Sequence, residues 1–294
     1  MSRIVLAGGS GLIGQALVPV LEKAGHEVLV LSRTPGPKKE VWDARSLGPW
    51  AKALDGAHAV INLAGASIAQ KWTLQAQQEI RESRVESTLI LGEAIARCSQ
   101  PPQFWINSSA VGFYGNRGEE ELDETSESGS EGDFLVDVCK EWEAAARTTC
   151  RPETQLRILR LGPVMAAGDG MLPALKSLAK SFLGGPAGNG QQWVSWIHIS
   201  DVLNMIVWSL ADDRPVLVNA TSPHPVRNSD LMFAIRHAVR RPWAPPAPAF
   251  LIQASAIFGG PDPALILDSA RVMPRAAQEA GFEFSVTDIA QAVE

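Results

Sequence analysis

The chain has 294 residues, 46% of them apolar and 20% charged, and a net charge of −6. Those proportions belong to an ordinary globular protein with room for a large core. The negative balance argues against nucleic acid or an anionic membrane as the main partner, because either rewards a basic face, while a small anionic ligand held by a few local cations stays compatible. Cys98, Cys139 and Cys150 show neither metal-ligand spacing nor an even-numbered disulfide framework, so a reducing compartment is expected. The five histidines are scattered without an HExxH pattern, and no metal is assigned. The chain goes straight from "MSR" into a β-like run, and no apolar stretch is long enough to span a bilayer, so the expectation is a cytoplasmic protein.

Taken in chain order, "RIVLAGG", "LIGQALVPVLEKAG", "EVLVLSR", "AHAVINLAG", the long helical pattern "LQAQQEIRESRVESTLILGEAIARC" and "QFWINSSA" alternate strand with helix. Alternation at this spacing implies parallel strands joined by right-handed crossovers, an α/β, doubly wound sheet. After Met165 the texture changes to Gly- and Pro-rich loops, "MAAGDGMLP" and "LGGPAGNGQQW", and a second such zone is "RRPWAPPAPAF". The division expected is a nucleotide-binding domain from 1–165 and 196–220, with a smaller substrate-side lobe from 166–195 and 221–294. In "WIHISDVLNMIVWSLADD" Ser200 is the expected N-cap, and His198 and Asp201 are expected to serve the core or the cap rather than a triad. The acidic run "RGEEELDETSESGSEGD" reads as a solvated loop.

"VLAGGSGLIGQAL" places Gly8, Gly11 and Gly14 three apart, between a strand and a helix. A pyrophosphate needs backbone without Cβ atoms in its way, and a helix start offers free N–H groups and a positive dipole end. The turn, with Ser10, Leu12 and Ile13, is therefore a candidate dinucleotide site. The next strand ends in Ser32 and Arg33, where an acid would select the ribose hydroxyls of NAD. A guanidinium there instead favours NADP, by holding its 2′-phosphate, unless Arg33 is simply a surface cation. Asp43 in "EVWDA" reads either as an adenine contact or as a turn residue. "NLAGAS" ends a strand in small residues, which lets backbone approach a ligand at the carboxyl ends of the strands.

With these stretches in place the chain resembles the extended short-chain dehydrogenase/reductases, and within them the atypical "epimerase family" group of NADP-dependent oxidoreductases with a C-terminal domain of unknown function. "GGSGLIG", "LSRTPGP", "NLAGASIAQKW", "SRVESTLIL", "SSAVGFYG", "KEWEAAA", "LGGPAGNGQQWVSWIHISD" and "RVMPRAAQEAGFEF" carry the resemblance over nearly the whole chain. It implies a Rossmann domain, Ser32 and Arg33 on the 2′-phosphate, Leu63 and Ala64 lining the cofactor, Val164 near the nicotinamide half, and Glu79 and Arg84 reaching the cofactor from the long helix. The partner it implies is a small-molecule substrate.

Ordinary members of the superfamily use a serine and a Y-x-x-x-K pair, whose members share a helix face because they are four apart. Ser109 matches the serine and Lys140 the lysine, which would hold the nicotinamide ribose. Val136 stands where the tyrosine would be. The one tyrosine, Tyr114, is either a relocated acid or part of a structural strand-exit turn. Cys139 is expected to be a buried structural thiol. Two readings follow: an NADP(H)-dependent oxidoreductase or epimerase, or a non-catalytic NADP(H) sensor or scaffold.

Overall fold

The computed structural model describes residues 2–241, 243–257 and 259–294. Strands β1 (Arg3–Ala7), β2 (Glu27–Ser32), β3 (Lys39–Val41), β4 (Ala59–Asn62) and β5 (Phe104–Ala110) are followed by the two-residue β6 (Glu121–Leu122) and by β7 (Gln155–Leu161). Then come β8 (Val164–Met165), β9 (Trp193–Val194), β10 (Ile197–His198), β11 (Leu217–Ala220), β12 (Val226–Arg227) and β13 (Arg271–Val272). Seven of these form one sheet in the order β11-β7-β5-β4-β1-β2-β3, with every pair parallel.

β1 and β4 read as continuous apolar runs because both faces of the sheet are covered. Helices α1 (Leu12–Lys23) and α5 (Ile199–Trp208) bury Leu17, Leu21, Val202 and Met205 on one face. On the other, α2 (Leu74–Ala96) and α3 (Phe134–Thr149) bury Leu91, Ile95 and Ala146. Successive strands run outward from β1 in one direction and from β4 in the other, so the sheet's switch point lies between them. A ligand crevice is expected there, at the carboxyl ends of β1 and β4.

A separate apolar cluster, including Met165, Leu172, Trp196, Leu231, Ile235 and Val286, makes a smaller lobe around α4 (Met171–Lys180) and α6 (Asn228–Ala238), and α7 (Ala249–Ile257) follows in the chain. Between Ala277 and Phe284 the chain leaves that lobe before Val286, Ala292 and Val293 return to it. Ala277 and Phe282 join the main core, and the Phe282 ring meets Trp208 of α5 edge-on at 5.4 Å. Asp201, fully buried, fixes this return by accepting from the Ser285 and Val286 N–H groups at 2.7 and 3.0 Å. The cap of α5 sits two residues earlier than expected: His198, whose Nδ1 is 2.7 Å from Ser200 Oγ, is the N-cap residue.

The acidic run is not a solvated loop. β6 pairs with β13 about 150 residues later, Glu121 opposite Arg271. Glu119 holds Arg227 at 2.7 Å, Glu121 holds Arg271 and Arg275 at 3.1 and 2.6 Å, and Asp123 lies 3.4 Å from Arg275. The charges fasten the strand-exit region of β5 to the lobe. Among the described residues no helix is long and apolar enough to cross a membrane.

Candidate cofactor site

The turn between β1 and α1 is shaped by what a Cβ would strike. Gly8 has φ +80°, and a Cβ there would lie 2.5 Å from the Leu63 carbonyl carbon and oxygen. At Gly14 it would lie 2.5 Å from the Gly8 oxygen, so the helix start rests directly on the turn. At Gly9, which the spacing rule passes over, it would meet the Val30 side chain at 2.6 Å. Gly11 differs, since its nearest neighbour would be the Gly8 oxygen at 3.5 Å. The protein therefore leaves room beside Gly11 that it does not fill itself.

Gly11 is also the N-cap of α1, and no side chain caps the helix. The first-turn N–H groups at Leu12 and Ile13 accordingly have no intrahelical acceptor. Ser10 is exposed, and its carbonyl accepts from Gln15 Nε2 at 2.6 Å. The lobe overhangs this turn: a Cβ at Gly170, which precedes α4, would lie 3.3 Å from Leu12 Cδ2.

At the end of β2, Ser32 Oγ accepts from the Thr34 N–H at 3.2 Å. Arg33 is exposed and forms no ion pair or hydrogen bond with the described residues. Asp43 behaves as a turn residue. Its carboxylate accepts from Ser46 Oγ at 2.5 Å and from the N–H groups of Arg45 and Ser46, and these bonds hold it at about 2, below the usual carboxylate range.

Buried Asn62 shapes the carboxyl end of β4. Its Nδ2 donates to Asn107 Oδ1 and Thr88 Oγ1 at 2.8 and 3.0 Å, and its Oδ1 accepts from the Ala64 N–H at 3.1 Å. Trp142 Nε1 donates to the same Thr88 hydroxyl, and Ser108 Oγ donates to the Asn62 carbonyl. Leu63 and Ala64 are thus held in place by a network that the motif reading did not find. A polar pair inside otherwise apolar strands, Asn62 and Asn107, was its sequence signal.

Arg84 enters from α2. Its Nη1 donates to the Ile80 carbonyl at 3.0 Å, its Cζ stands 5.3 Å from the Trp142 ring, and a Cβ at Gly65 would lie 3.1 Å from that Cζ. No carboxylate among the described residues pairs with it, and burial lowers its pKa. Arg84 is half-buried, and a guanidinium drawn out of water without a counter-ion is costly, so this position suits an anionic or strongly polar ligand. Glu79 is exposed and stands apart from it. Val164 is half-buried in β8, paired with Ile197 of β10.

The expected chemical groups are placed differently. Ser109 is buried, and its hydroxyl donates to Glu143 Oε1 at 2.8 Å. Glu143 also receives both arms of Arg160, at 2.7 and 3.0 Å. Arg160 Nη1 donates to the Tyr114 hydroxyl at 2.9 Å, and that hydroxyl lies 2.8 Å from Asn219 Oδ1 and 2.9 Å from the Asp123 carbonyl. Tyr114 is fully buried, and burial pushes it up to about 12. The Tyr114 hydroxyl is thus engaged with Arg160, Asn219 and the Asp123 carbonyl. The Ser109 proton likewise faces a carboxylate within the core.

Lys140 is exposed and makes no bond to the described residues. Val136, four residues before it, is buried, with Cγ2 against Gly115 and Gly129. The pair four apart that faces the end of β5 is Leu135 and Cys139, one position earlier: a Cβ at Gly112 would be 3.3 Å from Leu135 Cβ and 3.7 Å from Cys139 Sγ. Burial pushes the Cys139 thiol up to about 12, with the Glu143 charge adding and the Arg84 charge opposing. It is an inert thiol, as expected.

The profile of the NAD dependent epimerase/dehydratase family matches residues 4–220, and that of a domain of unknown function, DUF1731, matches residues 247–294. Epimerase family protein SDR39U1 from Bos taurus is 33% identical over 296 residues, covering 99% of this chain and 98% of its own. A crystal structure of human SDR39U1 with NADPH superimposes with a TM-score of 0.89 at 31% identity, covering 99% of this chain and 97% of that one. A nucleoside-diphosphate sugar epimerase from Corynebacterium glutamicum gives a TM-score of 0.79 at 34% identity, covering 99% of this chain and 57% of that one. With the glycine turn, the seven-stranded parallel sheet and the likeness to SDR39U1 over nearly the whole of both chains together, the chain belongs to the NAD dependent epimerase/dehydratase family, with a DUF1731 segment at its C-terminal end.

Proposed function

We propose that this chain binds NADP(H) across the turn from Gly8 to Gly14 and acts on a small-molecule substrate as an oxidoreductase or epimerase. The observation that carries the reading is a set of donors left without internal partners: the uncapped start of α1 and, at the end of β2, Arg33. The NADPH in the human relative's structure supports it. Gly8 and Gly14 let the turn close on Leu63 and on itself, Gly11 leaves the room in which the backbone approaches the pyrophosphate, the N–H groups of Leu12 and Ile13 donate to it, and Ser32 and Arg33 hold the 2′-phosphate. Leu63 and Ala64 line the nucleotide, Glu79 and Lys140 reach it from the rim, and Val164 closes the nicotinamide side. Bound NADP(H) supplies or accepts a hydride. Arg84 meets an anionic group of the cofactor or substrate. Val136 stands at the position the resemblance gives to the tyrosine, and neither it nor Leu135, which lines the end of β5, can donate a proton.

Arg33→Ala is expected to weaken NADPH binding about tenfold and leave NADH binding unchanged, measured by fluorescence titration. Unchanged NADPH affinity would sink the cofactor assignment. A second reading, a sensor or scaffold that holds NADP(H) without turnover, is favoured by the internal engagement of Ser109 and Tyr114. Screening carbonyl compounds and sugar nucleotides with NADPH separates the two. Turnover removes the sensor; tight binding with none across the screen removes the enzyme.

A further inference from the structure

Eleven large apolar side chains stand exposed among the described residues, and seven of them belong to α4, α6, α7 and the loops after α4 and α6. Phe182, Leu183, Phe233, Trp243, Phe250 and Leu251 are each more than half exposed. Scattered single residues of this kind need no explanation, but a concentration on one lobe does. Contacts tie these segments into one surface. The Arg241 guanidinium stacks 4.9 Å from the Phe182 ring centre, Arg236 Nη1 donates to the Gly184 carbonyl at 2.8 Å, and the Ala247 N–H donates to the Pro186 carbonyl at 2.9 Å.

The charge of this surface is opposite to that of the chain. Segments 171–193 and 231–261 contain Lys176, Lys180, Arg236, Arg240 and Arg241 and no aspartate or glutamate, in a protein of net charge −6. Where these cations bond to protein, Arg236 donates to the Gly184 carbonyl, Arg241 to the Lys180 carbonyl, and Lys176 to the main-chain oxygen of Glu294, the last residue of the sequence. None pairs with a carboxylate side chain of the described residues. His237, Ala238, Arg240 and Arg241 line an open hollow of about 470 Å³. α4 begins beside the pyrophosphate turn and runs for ten residues, about 15 Å, and Phe182 and Leu183 follow its far end. The surface is separate from the cofactor site.

We propose that this face of the lobe docks on an anionic lipid membrane, with Phe182, Trp243 and Phe250 entering the headgroup layer and Lys180, Arg240 and Arg241 meeting lipid phosphates. Aromatic side chains flanked by unpaired cations suit an interface that is apolar below and anionic above. An acidic protein segment fits less well, because the aromatic groups protrude from three separate stretches of chain. The whole-chain charge conceals the feature by averaging it with an acidic remainder.

The test is sedimentation of the full chain with vesicles of phosphatidylcholine alone and of phosphatidylcholine mixed with phosphatidylglycerol. Binding is expected to the mixed vesicles, to fall with added salt, and to weaken at least about tenfold in the R240E/R241E double variant. A double variant carrying Phe182→Ser and Trp243→Ser should lose binding to a similar degree, while Lys52→Glu, on the other side of the nucleotide domain, keeps it. Retained NADPH binding shows that each variant is folded. Failure of the wild type to bind mixed vesicles, or equal binding by R240E/R241E, overturns the proposal. So does light scattering that shows a dimer dissociated by the serine variants, which would make a second copy the occupant.

Discussion

The two ends of the site are built on opposite principles. At the proposed phosphate end the groups are backbone N–H groups and one side chain, Arg33, without partners among the described residues. At the end of β5 the groups that looked chemical, Ser109 and Tyr114, are bound to Glu143, Arg160 and Asn219 in a closed buried network. Unsatisfied donors at a crevice mark a place prepared for a ligand, whereas satisfied polar groups in a core mark structure, since a buried network is stable when every member is paired. Residue identity alone does not separate the two cases.

The largest effect is expected where the closed network is opened. Glu143→Ala leaves the Arg160 guanidinium buried without its carboxylate and should cost about 3–5 kcal/mol of stability, read from urea denaturation. If the loss were under about 1 kcal/mol, the network would not be the structural device described. Second comes the phosphate end: Gly8→Ala forces a Cβ into the Leu63 carbonyl at φ +80°. It is expected to destabilise the fold by about 3 kcal/mol and to abolish NADPH binding in the fraction that stays folded. Unimpaired binding would mean that the turn can widen without harm.

These comparisons also explain what could be read from the sequence. The glycines were legible because a backbone conformation or a close approach excludes every other residue type, so the sequence states the geometry directly. The parallel sheet was legible because doubly covered strands are written as unbroken apolar runs. The exposure of Lys140 was not, because motif spacing fixes which residues share a helix face but not which face meets the site. Adjacent helical positions differ by about 100°, enough to bring Leu135 and Cys139 against Gly112 at the end of β5 while Val136 packs on Gly115 and Gly129 and Lys140 is exposed. The acidic run was misread for another reason: its partners, Arg227, Arg271 and Arg275, lie about 110 to 150 residues away, and composition carries no information on distant pairing.

A smaller effect concerns pH. Asp268, in the lobe, is raised to about 6 by burial and by the Asp133 and Asp262 charges. Its folded-state pKa stands above its unfolded one, so the folded protein holds the proton more tightly, and stability falls as pH rises from about 4 through about 6. Asp268→Asn should remove that slope and stabilise the protein at pH 7 by about 1 kcal/mol after solvent screening, with little change at pH 4. Thermal denaturation across this range gives the result, and an unchanged slope in the variant would place the titration elsewhere.

The smallest expected effect bears most directly on the comparison. Lys140 is exposed and bonded to nothing described, so Lys140→Ala should leave stability within about 0.5 kcal/mol of the wild type. Its effect on NADPH affinity then has one meaning, because no structural loss accompanies it. A drop of about tenfold would show that the side chain swings onto the nicotinamide ribose when the cofactor binds. In that case the chemical end, like the phosphate end, would be completed by its ligand. An affinity equal to the wild type's would leave Leu135 and Cys139 as the residues that define that wall, and the chemistry would have to proceed without a lysine.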